Sequence, residues 1–129
     1  MQHILLFITT LPVLIIGDVL WVGFIADKFY TSHIGHLRGP IQWSGAILFW
    51  LIYTLGILLF VVYPYMNSTS KTVIYGALFG FIAYSVYNLT NQATLRDWPI
   101  TVVVVDVLWG TLLTVTVAIA GHYLSKLFF

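Results

Sequence analysis

Four uninterrupted apolar runs of about 20 residues constrain this chain more than any other feature. At 1.5 Å per residue, a helix of that length crosses the roughly 30 Å hydrocarbon core of a bilayer. The runs cover His3–Ala26, Trp43–Tyr63, Thr72–Asn91 and Ile100–Tyr123. The breaks between them have local causes. Asp27-Lys28 closes the first run, and Gly39-Pro40 opens the second with proline near the first helical turn. Pro64 stops the second, and Asn67-Ser68-Thr69-Ser70-Lys71 follows as a polar turn. Asp97 is the expected N-cap of the fourth helix, with Pro99 just inside it. The expected fold is all-α: an integral membrane bundle of four transmembrane helices, one domain over residues 1–129, with both termini on the same side. A barrel would need far more alternating segments than this chain holds.

Composition agrees. Only 7% of the residues are charged and 60% are hydrophobic, whereas soluble domains carry about 25% charge to hold a hydrated exterior. The net charge of +1 provides no basic field, so nucleic acid is not an expected partner. With no cysteine, disulfides, thiolate nucleophiles and cysteine-based metal sites are excluded together. Met1-Gln2-His3 lacks a basic n-region and the first run outlasts a signal-peptide core, so it reads as a retained span.

Side A denotes the side with the termini and the Pro64–Lys71 turn; side B carries the Asp27–Gln42 loop, read as solvated, and the Ala93–Trp98 turn. Lys71 and Lys126 fall on A, and Lys28, Arg38 and Arg96 on B. So even a split leaves the orientation open under the positive-inside rule and also permits dual topology. Trp43, Trp98, Tyr30 and Tyr65 stand where an interfacial aromatic belt belongs, and Pro12 is expected to kink the first span.

The informative residues are those that lipid should exclude. Asp18-Val19-Leu20-Trp21 in the first span recurs as Asp106-Val107-Leu108-Trp109 in the fourth. The two spans run antiparallel, yet both carboxylates lie roughly 10–12 Å inside side B. Each has a tryptophan at i+3, where the indole N–H can donate. The third span adds Tyr84, Tyr87, Asn88 and Asn91 at i, i+3, i+4 and i+7, a single helical stripe. Gly76 and Gly80 continue it as a surface that lets another helix approach closely. Thr90, Gln92, Arg96 and Asp97 form a polar rim. A carboxylate left facing lipid costs roughly 2.5 kcal/mol or more. The first, third and fourth spans are therefore expected to turn these groups toward one another. Two carboxylates in low dielectric do not both ionise cheaply, so the pair is expected to hold a proton.

Other signals are weaker. His33-x-x-His36 has helical metal-ligand spacing, but two imidazoles with Asp27 make a thin set, and no metal is expected. His3 and His122 lie too near side A for a bis-histidine haem and read as interfacial. No lysine sits mid-span for a Schiff base, and no nucleophile motif occurs. No cofactor is implied.

Several segments together resemble one family. They are Asp18-Val19-Leu20-Trp21 with Phe29-Tyr30, Ile52-Tyr53-Thr54-Leu55-Gly56 with Phe60 and Pro64, Ala83-Tyr84, Tyr87 through Leu95 with Trp98-Pro99, and Asp106 through Gly110. The chain is similar over nearly its whole length to the bacterial membrane proteins of domain-of-unknown-function family 2177. The resemblance implies the four-helix fold and a bacterial cell membrane, and brings no activity. The family pattern is expected to have Asp where this chain has Asn88, which removes a third intramembrane carboxylate.

The leading functional expectation is a small proton-linked transporter, or a binding protein for a small or amphiphilic molecule or lipid. Asp18 and Asp106 would carry the proton. Tyr84, Tyr87, Asn88 and Asn91 would line the substrate side, with Trp21 and Trp109 as walls. Four short helices make a narrow pathway, so a homodimer is expected, as in small multidrug exporters, by analogy only. Two other classes use the same residues. One is a lipid-phase acid–base enzyme or enzyme subunit; the other is a non-catalytic subunit of a larger membrane complex, whose polar stripe binds a partner's helix. The bland alternative is interhelical glue with no ligand.

Overall fold

Lipid cannot hydrogen-bond a peptide group, so a spanning segment must satisfy its N–H and C=O groups internally, and this chain does so with helices alone. The computed structural model describes all 129 residues. Four helical stretches are long and apolar enough to cross a membrane: Gln2–Ile25, Trp43–Tyr65, Thr69–Thr94 and Ile100–Phe128. The first is α1 (Gln2–Leu20), continuous through Pro12 and extended by a π turn over Trp21–Ile25. In that turn the Ala26 amide reaches back five residues to the Trp21 carbonyl (2.7 Å), which rotates the end of the span. The second is α3 (Trp43–Ile57), with a π turn at Leu58–Val62 and a 3-10 turn at Tyr63–Tyr65. Pro64 accounts for the loosening, because its ring displaces the carbonyl four residues earlier. The third and fourth are α4 (Thr69–Thr94) and α5 (Ile100–Phe128).

Three local expectations are corrected. The Asp27–Gln42 segment is not a plain solvated loop: it contains α2 (Asp27–Ile34), an amphipathic helix whose Tyr30 and Ile34 are buried. Asp97 does not cap α5. Pro99 itself takes the extended cap conformation, and the Asp97 carboxylate is drawn instead to His36 Nε2 at 3.1 Å. Pro40 lies outside α3, two residues before the Gln42 cap, rather than in the first turn. At α4 the Ser68 hydroxyl accepts from the Lys71 amide (3.3 Å), which starts that helix three residues before its apolar run.

The most buried of the spanning helices is α5, which packs closely on α4 and on α1. Gly76 and Gly80, the small-residue face of α4, meet Ala118, Thr114 and Gly110 of α5. The surface that could have admitted a foreign helix is thus filled by a helix of the same chain. A Cβ at Gly110 would run into the Tyr84 ring, and one at Gly80 would lie 2.9 Å from the Gly110 carbonyl oxygen. The α4–α5 crossing depends on both glycines.

The main apolar cluster joins Leu6 and Leu14 of α1, Ile57, Leu58, Val61 and Val62 of the second span, and Leu113, Val117 and Ala118 of α5. It fills the half of the bundle where the first and last turns meet, His3 packing on Phe129 with ring centroids 5.0 Å apart. His122 is buried there against the first turn of α4, its two ring nitrogens within 3.1 and 3.2 Å of the Thr69 and Thr72 hydroxyls. A smaller cluster of Ala26, Tyr30, Ile34 and Val102 seals α2 onto the start of α5 at the opposite end. Between the two clusters lies the polar region. The outer faces carry large apolar side chains such as Ile52 and Leu108, each 67% exposed, an exterior that suits hydrocarbon rather than water. Length, apolarity and this exterior make the protein a multi-pass membrane protein.

Candidate functional site

Asp106 is the hub of a hydrogen-bonded network drawn from four parts of the chain. Its Oδ1 accepts from the Tyr30 hydroxyl at 2.7 Å, and its Oδ2 accepts from Asn88 Nδ2 at 2.6 Å. Tyr30 in turn accepts from the Trp21 indole N–H at 3.0 Å. The Asn88 amide nitrogen also donates to the Tyr84 carbonyl (2.9 Å), and its oxygen accepts from the Trp98 indole at 3.2 Å. That pattern fixes which way the amide faces: two acceptors meet the NH2 and one donor meets the oxygen. Asn88 is fully buried. Burial, and next the neighbouring Asp106 carboxylate, push the Tyr30 phenol well above its ordinary value. Tyr30 therefore stays protonated and donates.

Asp18 lies apart from this hub. Its single protein donor is the Trp50 indole, 2.9 Å from Oδ2. Asp18 and Asp106 share no hydrogen bond, but both line one cavity of about 500 Å³ with Phe49, Tyr53, Ala83, Tyr84 and Tyr87. Helices α1, α3, α4 and α5 each contribute to that wall. A smaller space of about 180 Å³, lined by Val22, Tyr30, Ile34, Arg38, Tyr87, Trp98 and Asp106, lies at the α2 end. Asp106 and Tyr87 are common to both walls. The Arg38 guanidinium in the smaller space is held by Asp27 Oδ1 at 2.9 Å and the Thr31 hydroxyl at 2.8 Å.

The cavity borders the seam between α3 and α4, with Phe49 and Tyr53 on one side and Ala83, Tyr84 and Tyr87 on the other. Phe79 of α4 stacks on Tyr53 at 5.7 Å, and a Cβ on Gly56 would come within 3.1 Å of its ring, so α3 and α4 are in register at that level. From there toward the Phe49 end the two helices hardly approach each other. Phe49 and Tyr87 stand exposed at the resulting gap. Deeper in, the Tyr53 hydroxyl lies 2.6 Å from the Thr114 hydroxyl, which in turn donates to the Gly110 carbonyl.

Of the residues singled out in the sequence, Asp18, Asp106, Tyr84 and Tyr87 face the larger cavity, and Asn88 sits behind it on Asp106. Asn91 lines neither space, because one further turn carries it past the wall. Arg96 and Asp97 are exposed at the α2 end. The tryptophans are corrected: neither donates to the aspartate on its own helix. Trp21 and Trp109 stack on each other, centroids 4.4 Å apart and planes 7° apart, and only Trp21 finds an acceptor, in Tyr30. The stack sets Trp21 level with Trp109, as Gly17 is with Leu113, so along the bundle axis Asp18 lies roughly 9 Å farther from side B than Asp106 rather than at the same depth as expected. His36 pairs with Asp97, and His33 Nδ1 turns to the Phe29 carbonyl at 2.8 Å. The two imidazoles thus do not converge.

Five participants were missed. Trp50, Tyr53 and Phe49 bring in the second span, which the sequence reading left out of the site. Trp50 lies seven residues into its span, the depth of Asp18 in its own, and Trp50-x-x-Tyr53 puts both rings on one face. Tyr30 and Trp98, read as belt residues, are hydrogen-bonded into the hub. Ala26, Tyr30 and Ile34 at four-residue intervals carried the signal for an amphipathic α2.

A model of the family described as predicted membrane protein (DUF2177) matches residues 3–123. Neither a curated protein nor a solved structure matches the chain.

Proposed function

The chain belongs to the DUF2177 family of predicted membrane proteins, and we propose that it is a small transporter that couples movement of a small amphiphilic molecule to a proton. The observation that carries this reading is the position of Asp106 on the shared wall of two spaces. One space opens at the α2 end of the bundle, and the other lies within the membrane beside Asp18. A carboxylate so placed can exchange a proton with the bundle end and face a bound molecule from the same atoms.

The electrostatics support coupling. Two carboxylates border the larger cavity and no Lys, Arg or His does. Two such groups do not both stay charged in low dielectric without a compensating positive charge. A proton or a bound cation must supply it, and each displaces the need for the other. That exchange is the elementary step of proton-linked transport. Interhelical glue explains the hub but not the cavity, since the Asp18 carboxylate would gain more by closing onto a second donor.

Proton flux provides the test. Protein in liposomes loaded with a pH-sensitive dye, under a potassium diffusion potential, is expected to pass protons faster than empty liposomes. Asp18→Asn and Asp106→Asn should each reduce the flux to the empty-liposome level, while Lys71→Gln at the opposite end retains it. Equal flux in the wild type and both aspartate variants would remove the transporter reading.

A further inference from the structure

The geometry points to a substrate class for this cavity: a primary alkylamine, bound head-first at Asp18 and admitted sideways from the lipid through the gap between α3 and α4. This inference deepens the transporter reading and rests on the same cavity, but not on transport itself.

The head group follows from unequal hydrogen bonding. Asp106 has a donor on each oxygen, from Tyr30 and Asn88, both supplied by the protein. Asp18 has one donor, from Trp50 to Oδ2, and its Oδ1 has none. A carboxylate that borders a cavity with an oxygen free calls for an N–H donor from whatever fills the space. The only guanidinium nearby, Arg38, reaches the smaller space and is committed to Asp27 and Thr31. No residue of this wall can neutralise the acids, so a bound cation takes the place of the proton that otherwise does. An anionic head, phosphate or carboxylate, would add negative charge to a wall that has acids and no cationic side chain. A protonated primary amine brings both the charge and the N–H groups. A trimethylammonium head brings charge alone and leaves Oδ1 without its bond.

The walls and the opening set the rest of the molecule. Phe49, Tyr53, Tyr84 and Tyr87 line the same cavity as the carboxylates, and aromatic rings attract a cation and pack an alkyl chain. The volume of about 500 Å³ lies inside the roughly 300–1,000 Å³ range of small-molecule sites. The opening lies along the side of the bundle, where Phe49 and Tyr87 are 37% and 55% exposed amid lipid-facing residues. A ligand with an apolar tail reaches such an opening from the bilayer and can leave its tail there.

Tryptophan fluorescence reads binding directly, because Trp50 touches the Asp18 carboxylate and bromine on an alkyl chain quenches an indole on contact. Full-length protein in lipid nanodiscs is titrated with a bromododecylamine, its trimethylammonium analogue and a bromododecanoate. Quenching by probe dissolved in the lipid is non-saturable and common to all three. The amine should add a saturable component that unbrominated dodecylamine competes away. The trimethylammonium analogue should bind at least tenfold more weakly, and the carboxylate should show no saturable part. Asp18→Asn should weaken the amine at least tenfold. Ala83→Phe, which leaves every polar partner in place and fills the gap, should do so as well, so the proposal stays testable even where Asp18→Asn does not fold. Saturable quenching that is equal for amine and carboxylate, or unchanged in Ala83→Phe, overturns the substrate class. Amine binding without proton flux would remove transport and leave this inference standing; proton flux without amine binding would do the reverse.

Discussion

Replacing Tyr30 with phenylalanine takes one oxygen out of the hub and with it two hydrogen bonds. The hydroxyl donates to Asp106 at 2.7 Å and accepts from Trp21 at 3.0 Å. A hydrogen bond to a charged acceptor is worth about 1.5–3 kcal/mol net in soluble proteins. Interhelical bonds in membrane proteins average nearer 0.6 kcal/mol and reach about 1.7 kcal/mol. The Asp106 bond is charge-assisted and joins α2 to α5, so it belongs near the upper membrane value. The Trp21 N–H then loses its acceptor in a half-buried position and adds about 1 kcal/mol. The expected loss is about 2–2.5 kcal/mol. Because Asp106→Ala removes the acceptor of the same bond, a double-mutant cycle of Tyr30→Phe with Asp106→Ala should show a coupling of about 1–1.5 kcal/mol. Tyr30→Phe combined with Trp50→Phe, which acts on Asp18 instead, should be additive within about 0.5 kcal/mol. Reversible unfolding in mixed micelles, followed by helical circular dichroism, provides the free energies. A coupling below about 0.3 kcal/mol between residues 30 and 106 would refute the hub as the tie between α2 and α5.

Two further outcomes follow from the same geometry. Asn88→Asp sets a carboxyl 2.6 Å from Asp106 Oδ2, where the amide now supplies the hydrogen; the contact survives only while one carboxyl carries a proton. The variant should come nearest the wild type at acid pH, short of the bond to the Tyr84 carbonyl, and lose stability as the pH rises, read as a melting temperature that falls with pH only in the variant. Gly110→Ala drives a methyl into the Tyr84 ring and should cost about 1–3 kcal/mol as an overpacked contact. Gly23→Ala, with nothing within 4 Å of the added carbon, should be neutral in the same melting assay.

The four spans were legible because their apolar length leaves no other stable solution in lipid, and Asp18, Asp106 and the Tyr84–Asn88 face because polar groups stand out against that background. The second span was not legible in the same way. Trp43–Ile57 is apolar on every face, so its sequence carries no mark of which side turns inward. In a bilayer, core-facing and lipid-facing positions favour the same residues, and Trp50 is told from a lipid-facing indole only by its acceptor. Tyr30 and Trp98 failed for a related reason: an amphipathic ring near the membrane edge satisfies a belt and a buried hydrogen bond equally well until the neighbouring helix is placed. The cap of α5 was misread because a nearby His36 competes for Asp97, a contact between residues far apart in sequence.

Asp18 and Asp106, from antiparallel helices, open onto one common cavity. The chain contains no cysteine, so paired substitutions report on this directly without background thiols. Asp18→Cys with Asp106→Cys, treated in nanodiscs with a bifunctional thiol reagent whose spacer is no longer than the cavity is wide, should form an intramolecular bridge. Asp18→Cys with Val104→Cys, which faces outward from the same helix as Asp106, should not. Bridging of the second pair and not the first would contradict the account.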